Sequence, residues 1–453
     1  MKKLFVLPLL VGMFSCTAQT PSVETVFRAV NVIPMDEEKV MDEQDVVIQD
    51  GKIKTIGTTG KVKYGKDARI IEAKGKFLIP GLAEMHAHVP PIDDIKPMEE
   101  VLSLFLNNGV TTIRGMLGHP RHLELRNRLV SGEIIGPHFY TSGPSFNGTS
   151  VKTPETGAQM VNDQKKAGYD FLKLHPGLTK ENFAAIAKTA KEAGIPFAGH
   201  VSFDVGVWRA IEAGYASIDH LDGFIESLVP GIETMKQEDV GAFAMFIAKN
   251  ADENKIPSLM KALKEKNIWV VPTQCLAERW FSPDKTPEAL AAEPEMIYMK
   301  EDELKNWVNN KKGIMANPRY NAEDVRKFVV LRRKLIYECQ KNGVGLLLGS
   351  DAPQVFDVPG FSVHHELKYM VDAGLSPYQA LRTGTVNPAR YFNRDDMGMI
   401  KPGYVSDLVL LEANPLANIE NTKKIAGVMI GNKWLPKDVI AADLKQLQKS
   451  KQF

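Results

Sequence analysis

The chain has 453 residues, and 56 lysines and arginines against 55 aspartates and glutamates leave a net charge of +1. This balance gives no basic surplus, so nucleic acid is not an expected partner. Hydrophobic residues make up 44% and charged residues 25%, the composition of a globular protein with a large core. Three cysteines exclude a disulfide scaffold and a zinc site built on four thiolates.

Residues 1–20 have the pattern of an export signal. A lysine pair precedes the apolar run 4–14, which is too short to cross a bilayer, and small residues follow it. Cleavage after Ala18 or Gln19 would release a soluble protein, whereas cleavage before Cys16 would leave a lipidated cysteine as a membrane anchor. The pattern predicts an exported protein of the bacterial cell envelope, either periplasmic or an outer-membrane lipoprotein.

Both ends of the chain contain short β-rich runs separated by turns such as Asp50-Gly51, a hairpin signal. These runs occupy 23–32, 45–49, 52–56, 68–72 and 76–78 near one end, and 407–411 and 425–430 near the other. Together they predict one small β-sandwich built from residues 22–80 and 398–440.

Between these ends, eight β-rich runs alternate with helical segments, as in a parallel α/β sheet. The runs are 82–87, 111–114, 138–141, 171–174, 197–199, 217–219, 269–272 and 345–349. Eight units predict a (β/α)8 TIM barrel over residues 81–397, with its active site at the carboxyl ends of the strands. The charged run 276–342 has helical spacing and predicts a helical insertion that packs over the barrel mouth.

Histidine and aspartate follow several of these runs, where a barrel places its active site. His86 and His88 are two residues apart, so on an extended strand both imidazoles point the same way and can reach one ion. His200 and His220 end two successive runs, and Asp351 ends the eighth. The repeated position predicts a metal centre.

Lys173 is unusual because strands of a parallel sheet are normally apolar on both faces. Two interpretations stay open: an ion-paired lysine, or an amine that carries CO2 as a carbamate able to bridge two cations. His175 lies two residues further on and points to the same side.

The combination resembles the amidohydrolase superfamily, within it the imidazolonepropionase-related branch that includes metal-dependent, prolidase-like dipeptidases. Two segments carry the resemblance. The family's entry motif is similar to residues 79–88, Ile-Pro-Gly-Leu-Ala-Glu-Met-His-Ala-His, and its exit motif is similar to residues 398–409, which contain Gly-Met-Ile-Lys-Pro-Gly. The resemblance extends from about residue 24 to about residue 436.

The resemblance implies one or two divalent ions, most often zinc, and a carbamate made from Lys173 and CO2. It implies that His86 and His88 hold the more buried ion with Asp351, that His200 and His220 hold the other ion, and that Lys173 bridges the two. A metal-bridging hydroxide would attack an amide carbonyl, and Asp351 would carry the proton to the leaving amine.

These features predict an exported hydrolase of C–N bonds, with dipeptides or N-acyl amino acids as substrates. A cyclic amide hydrolase of the imidazolonepropionase type and a non-catalytic binding protein on the same scaffold are the alternatives. Substrate contacts are expected from Tyr140, His138, His119 and His175. The sequence leaves the number of subunits open, and an oligomer is compatible with it.

Overall fold

A computed structural model describes residues 23–449 of the chain. The predicted export signal, with Cys16, lies outside this range. No helix within it is long and apolar enough to span a bilayer.

The described residues form strands that we number in chain order. They are β1 Thr25–Val32, β2 Met41–Gln49, β3 Lys52–Thr58, β4 Arg69–Glu72, β5 Phe77–Pro80, β6 Leu82–Ala87, β7 Val110–Gly115, β8 His138–Thr141, β9 Leu172–Leu174, β10 Phe197–Gly199, β11 Ser217–Asp219, β12 Trp269–Val271, β13 Leu408–Leu411, β14 Ile425–Ile430 and β15 Lys433–Pro436.

The α-helices are numbered in the same way. They are α1 Ile95–Asn107, α2 Arg121–Val130, α3 Pro154–Ala167, α4 Lys180–Ala193, α5 Gly206–Ala213, α6 Phe224–Leu228, α7 Gln237–Val240, α8 Ile256–Glu265, α9 Gln274–Leu276, α10 Pro287–Ala291, α11 Glu301–Met315, α12 Ala322–Asn342, α13 Phe361–Asp372, α14 Pro377–Thr383, α15 Val386–Tyr391 and α16 Lys437–Gln446.

Strands from the two chain ends join in one eight-stranded sheet, which we call the collar. Its order is β15-β14-β13-β5-β1-β2-β3, and β4 pairs with β1. The join is antiparallel, with Val409 of β13 opposite Ile79 of β5. Phe27, Leu78 and Leu410 belong to one buried apolar cluster on this sheet, so the two chain ends share a core.

Seven of the eight predicted barrel runs are parallel strands, in a three-stranded sheet β6-β7-β8 and a four-stranded sheet β9-β10-β11-β12. The eighth run, 345–349, makes a single bridge from Leu346 to Val270 rather than a regular ladder. Its backbone nevertheless forms hydrogen bonds to a strand on each side. Gly345 O accepts from Val270 N of β12 at 2.9 Å, and Leu348 O accepts from Met85 N of β6 at 2.7 Å.

Helix boundaries follow the expected capping chemistry. The side chain of Thr179 caps the start of α4 by accepting from Asn182 N, and α4 ends at Gly194, whose φ of +62° suits a residue without a side chain. In the predicted insertion, α11 and α12 account for the helical spacing seen in the sequence.

His138 lies at the amino end of β8 and contacts the collar. Its Nε2 is 2.8 Å from Asp407 Oδ2, and this hydrogen bond raises the pKa of His138 against the opposing effect of burial. Arg394 lowers that pKa and Asp396 raises it, both more weakly. The sequence prediction placed His138 in the substrate cavity, whereas here it joins β8 to the collar.

The His138–Asp407 pair should stabilise the protein in a pH-dependent manner. A histidine whose pKa is raised in the folded state stabilises the protein fully at pH values below the pKa of the unfolded state, about 6.5. This stabilisation is lost as the pH rises through the pKa of the folded state. In a double-mutant cycle of His138→Gln and Asp407→Asn, urea unfolding should show coupling at about pH 6 that vanishes at about pH 9. A coupling energy that is constant with pH would contradict this role.

Candidate metal centre

Three predicted ligands converge at the carboxyl end of β6. His86 Nε2 lies 3.2 Å and His88 Nε2 lies 2.8 Å from the same oxygen, Asp351 Oδ1. One ligand atom from each residue falls within 4.8 Å of the others, which is compatible with a shared ion. His86 is fully buried, whereas 15% of the His88 side chain is exposed, so the group opens to solvent on the His88 side.

Lys173, in the middle of β9, reaches the same group. Its Nζ lies 3.3 Å from His86 Nε2, and its side chain is fully buried. Burial lowers the pKa of Lys173 to about 8, although Asp219 and Asp351 act in the opposite direction. No carboxylate among residues 23–449 lies within ion-pair distance of this amine.

Gly199 at the end of β10 makes room for the lysine. A Cβ at this position would lie 2.5 Å from Leu174 O and 2.7 Å from Lys173 Cδ, and the φ of +118° also favours glycine. The absence of a side chain at residue 199 therefore allows Lys173 to pass along the strand toward His86.

Gly199→Ala should displace Lys173 and destabilise the protein by about 1–3 kcal/mol, the usual cost of overpacking a core. We expect a lower urea midpoint and a lower metal content in the purified variant. Gly313→Ala is the matched control, since a Cβ there meets nothing within 4 Å. Equal metal content and stability in both variants would show that Gly199 has no such role.

His200 and His220 stack beside the first group, with ring centroids 4.2 Å apart, and the His220 ring lies 4.5 Å from that of His86. Asp222 Oδ2 lies 2.7 Å from His200 Nδ1, and Thr273 Oγ1 lies 2.9 Å from His220 Nδ1. Partners on the Nδ1 atoms leave Nε2 as the nitrogen that can bind a ligand.

The electrostatics keep the imidazole of His220 neutral. Burial, followed by the nearby His200 and His86, holds the pKa of His220 well below its ordinary value. The Nε2 atom of His220 is buried and has no hydrogen-bonding partner. A buried imidazole nitrogen without a partner is costly unless it binds something, and neutral imidazole is the form that binds metals.

Sequence reasoning did not identify the carboxylate behind His86. Asp219 Oδ2 lies 2.7 Å from His86 Nδ1, and Arg114 Nη2 donates to both Asp219 oxygens at 3.3 Å. Burial acts to raise the pKa of Asp219, but Arg114 and His86 outweigh it and lower that pKa. The ionised Asp219 thereby orients His86 with Nε2 toward Asp351, as carboxylates behind metal-binding histidines commonly do.

The backbone turns sharply where these strands end. His220, Thr273 and Asp351 have φ values of +63°, +47° and +67°, in the left-handed region. This conformation is unfavourable for residues other than glycine, most of all for a β-branched threonine, and such residues concentrate at functional sites.

The donor set fits a divalent transition ion. Burial tends to raise the pKa of Asp351, but His86 and His88 hold it well below its ordinary value, so this carboxylate is ionised. Neutral imidazole nitrogens with an anionic oxygen form the ligand set typical of catalytic zinc. The buried His220 Nε2 without a partner is the structural observation that supports this fit.

Of the four expected substrate contacts, only His175 lies beside this group. Its ring centroid is 5.1 Å from that of His200, and its buried Nδ1 has no hydrogen-bonding partner. Tyr140 instead stacks on Phe392 at 3.9 Å. His119 is half-buried in the loop after β7, with Nε2 3.9 Å from Asp93 Oδ1.

The parallel strands, the peripheral helices and the histidine-rich group at the strand ends are features of a metal-dependent hydrolase scaffold. The profile described as "Amidohydrolase family" matches residues 77–435, which is more than half of the chain. The protein therefore belongs to the amidohydrolase family, whose members are hydrolases that act on C–N bonds.

Curated relatives extend this comparison. Adenine deaminase of Deinococcus deserti is 23% identical over 82% of this chain, and the chain spans about half, 53%, of that enzyme. Ochratoxinase of Aspergillus niger is 23% identical over 90% of this chain and 86% of the enzyme.

A solved structure of a Xaa-Pro dipeptidase with bound methionine in its active site has the same fold, with a TM-score of 0.65. It is 18% identical, and the alignment covers 91% of this chain and all of that one.

Proposed function

We propose that this protein is an exported metal-dependent amidohydrolase that cleaves the amide bond of dipeptides or N-acyl amino acids. The observation that carries the proposal is the convergence of His86, His88 and Asp351 with the amine of Lys173. The likeness to a Xaa-Pro dipeptidase over all of that chain and to an ochratoxinase over most of its length supports the substrate class.

In this proposal, one divalent ion, expected to be zinc, would bind to His86, His88 and Asp351. A second ion would bind to His200 and His220. Bound ions of this kind lower the pKa of water and polarise a carbonyl group. The neutral amine of Lys173 would add CO2 with release of a proton, and the resulting anionic carbamate would supply further oxygen donors to bound ions. The absence of an ion-pair partner for Lys173 among the described residues favours the carbamate over a structural ion pair.

The remaining steps belong to side chains of this chain. The carboxylate of Asp351 takes the proton of the attacking water and delivers it to the nitrogen of the leaving amine. Asp219 and Thr273 keep His86 and His220 in the orientation that the site requires. The buried His175 Nδ1 is available to bind a polar group of the substrate.

The aromatic ring of Phe243 next to His220 suits an apolar substituent on the substrate. The ring of Phe243 lies 5.4 Å from that of His220, and Phe281 lies 5.6 Å beyond Phe243. Phe243 adopts a φ of +53°, a strained conformation for a bulky residue.

We also propose the architecture that frames this site. The two parallel sheets and the run 345–349 close into one (β/α)8 barrel over residues 81–397, with 276–342 as the helical insertion. The collar folds into a small β-sandwich from residues 22–80 and 398–440. Export through residues 1–20, with or without a lipid at Cys16, places the enzyme in the cell envelope.

The experiment is a substrate panel on zinc-loaded protein. Dipeptides and N-acyl amino acids with small, aliphatic or aromatic side groups are incubated with the enzyme, and the released amino acids are quantified by mass spectrometry. We expect turnover that depends on added zinc and is lost in Asp351→Asn. Adenine is added to the panel as the alternative substrate. If no amide is cleaved, or if only adenine loses ammonia, the proposed substrate class is wrong.

A further inference from the structure

A cavity lies at the end of the parallel strands that is opposite the candidate metal centre. It has a volume of 420 Å³, and its lining includes Phe171, Pro196, Ala216 and Trp269, which lie at or just before the amino ends of β9 to β12. His200 and His220 lie directly after the carboxyl ends of β10 and β11, so this cavity belongs to a different face of the molecule.

Aromatic residues make up half of the lining, and several of them hold one another in place. Tyr391 packs edge-on against Trp269, with centroids 6.1 Å apart, and against Phe392 at 5.2 Å. Phe392 stacks on Tyr140 at 3.9 Å. The hydroxyl of Tyr391 accepts from the buried Arg114 Nη1 at 2.7 Å, which fixes the ring. A wall held in this way is ready to stack on a flat apolar ligand with little loss of side-chain entropy.

A neighbouring depression of 500 Å³ shares Asn267, Trp269 and Tyr391 with this cavity and supplies positive charge. Its lining contains Arg382 and Arg390 and no carboxylate. Neither guanidinium forms an ion pair with a carboxylate of the described residues, although Arg382 donates to the Tyr378 hydroxyl at 3.2 Å.

The acidic residue of the aromatic cavity does not offset this charge. Asp170 Oδ2 accepts from Arg126 Nη1 and from Thr141 N, both at 2.8 Å, so its charge is already paired. An aromatic wall therefore adjoins two guanidinium groups without a carboxylate partner among the described residues, although that of Arg382 also lies over the ring of Tyr378. Guanidinium groups bind carboxylates through directed hydrogen bonds, and aromatic walls bind flat rings.

We propose that this joint cavity binds a small aromatic carboxylate, with the ring against Trp269 and Tyr391 and the carboxylate at Arg382 and Arg390. The site is separate from the hydrolytic centre and does not depend on its activity. Its ligand is identified by two features together: a flat apolar ring and one negative charge.

The test is isothermal titration of the zinc-loaded full chain with naphthalene-2-carboxylate and with its neutral analogue, naphthalene-2-carboxamide. We expect the carboxylate to bind about tenfold more tightly than the amide, since one charge-assisted contact is worth about 1.4 kcal/mol. Arg390→Ala should remove that preference, and Trp269→Leu should weaken the binding of both ligands. Asp351→Asn should leave both affinities unchanged, because it alters only the metal centre.

Arg319→Ala is the matched control, since Arg319 is an exposed arginine outside the lining of both depressions and already pairs with Asp239. Arg390 is exposed, so its replacement leaves the fold intact even where Trp269→Leu does not. The proposal is overturned if neither ligand binds, if both bind equally, or if Asp351→Asn abolishes binding. A dimer in analytical ultracentrifugation that Trp269→Leu dissociates would assign the surface to a second copy of the chain and overturn it too.

Discussion

Asp351→Asn should reduce kcat by about two to four orders of magnitude, the usual contribution of a general acid–base group. The Asp351 carboxyl is ionised, and its Oδ1 lies within 3.2 Å of both His86 and His88, so it can accept a proton where they would hold an ion. Asparagine keeps the shape of the side chain but cannot accept and release that proton. The measurement is kcat on a cleaved dipeptide, together with the zinc content of the same sample.

The control for this variant is Asp204→Asn, which makes the same chemical change in an exposed residue of the loop before α5. It should retain full kcat and full zinc. Unchanged kcat in Asp351→Asn at full zinc occupancy would exclude Asp351 as the proton carrier. If zinc is lost as well, titration with excess metal separates the two roles, because added zinc restores only the ligand function.

The sequence could predict the positions of the ligand candidates because those positions depend on strand ends alone. His86, His88, His200 and Asp351 each follow an apolar run, and parallel strands bring their carboxyl ends to one edge. The structure brings these side chains together, with Lys173 among them. Their role as metal ligands stays a prediction.

The residues behind the ligands could not be predicted in the same way. Thr273 reaches His220 from the end of the adjacent strand β12, whereas Asp219 of β11 reaches His86 in β6, a strand of the other parallel sheet. Nothing in local spacing reveals either contact. The left-handed backbone at His220 and Asp351 is likewise imposed by packing, since no glycine marks these turns in the sequence. The two histidine contacts join residues that are about fifty and about one hundred and thirty positions apart in the chain.

In the fold, the collar strands were predictable because hairpin turns and β-branched runs are local signals. β15 was missed, since Lys433–Pro436 is short and only partly apolar. The run 345–349 was expected to be a strand, yet it forms only one bridge with Val270 in the described structure. Residues 224–265 received no prediction, and they form several short helices that include α6, α7 and α8.

Lys173→Met should lower kcat by about two orders of magnitude or more, since a metal-assisted step is worth several kcal/mol and each 1.4 kcal/mol is tenfold. Methionine has a similar length and tolerates burial, so the fold should persist beside Gly199. Without the amine, no carbamate can form, and we expect metal content to fall from about two ions toward one or none. Elemental analysis and kcat on the same preparation provide the measurement.

Lys311→Met controls for the loss of any buried lysine. Lys311 is also fully buried, and its Nζ donates to Arg279 O and Ser282 O, both at 2.7 Å, within the helical insertion. Its replacement should lower the unfolding midpoint but leave metal content and kcat unchanged. A second measurement separates the carbamate from a plain amine: metal-free wild-type protein reloaded with zinc should regain activity only when bicarbonate is present. Full recovery in CO2-depleted buffer would exclude the carbamate, because the amine alone would then suffice to complete the site.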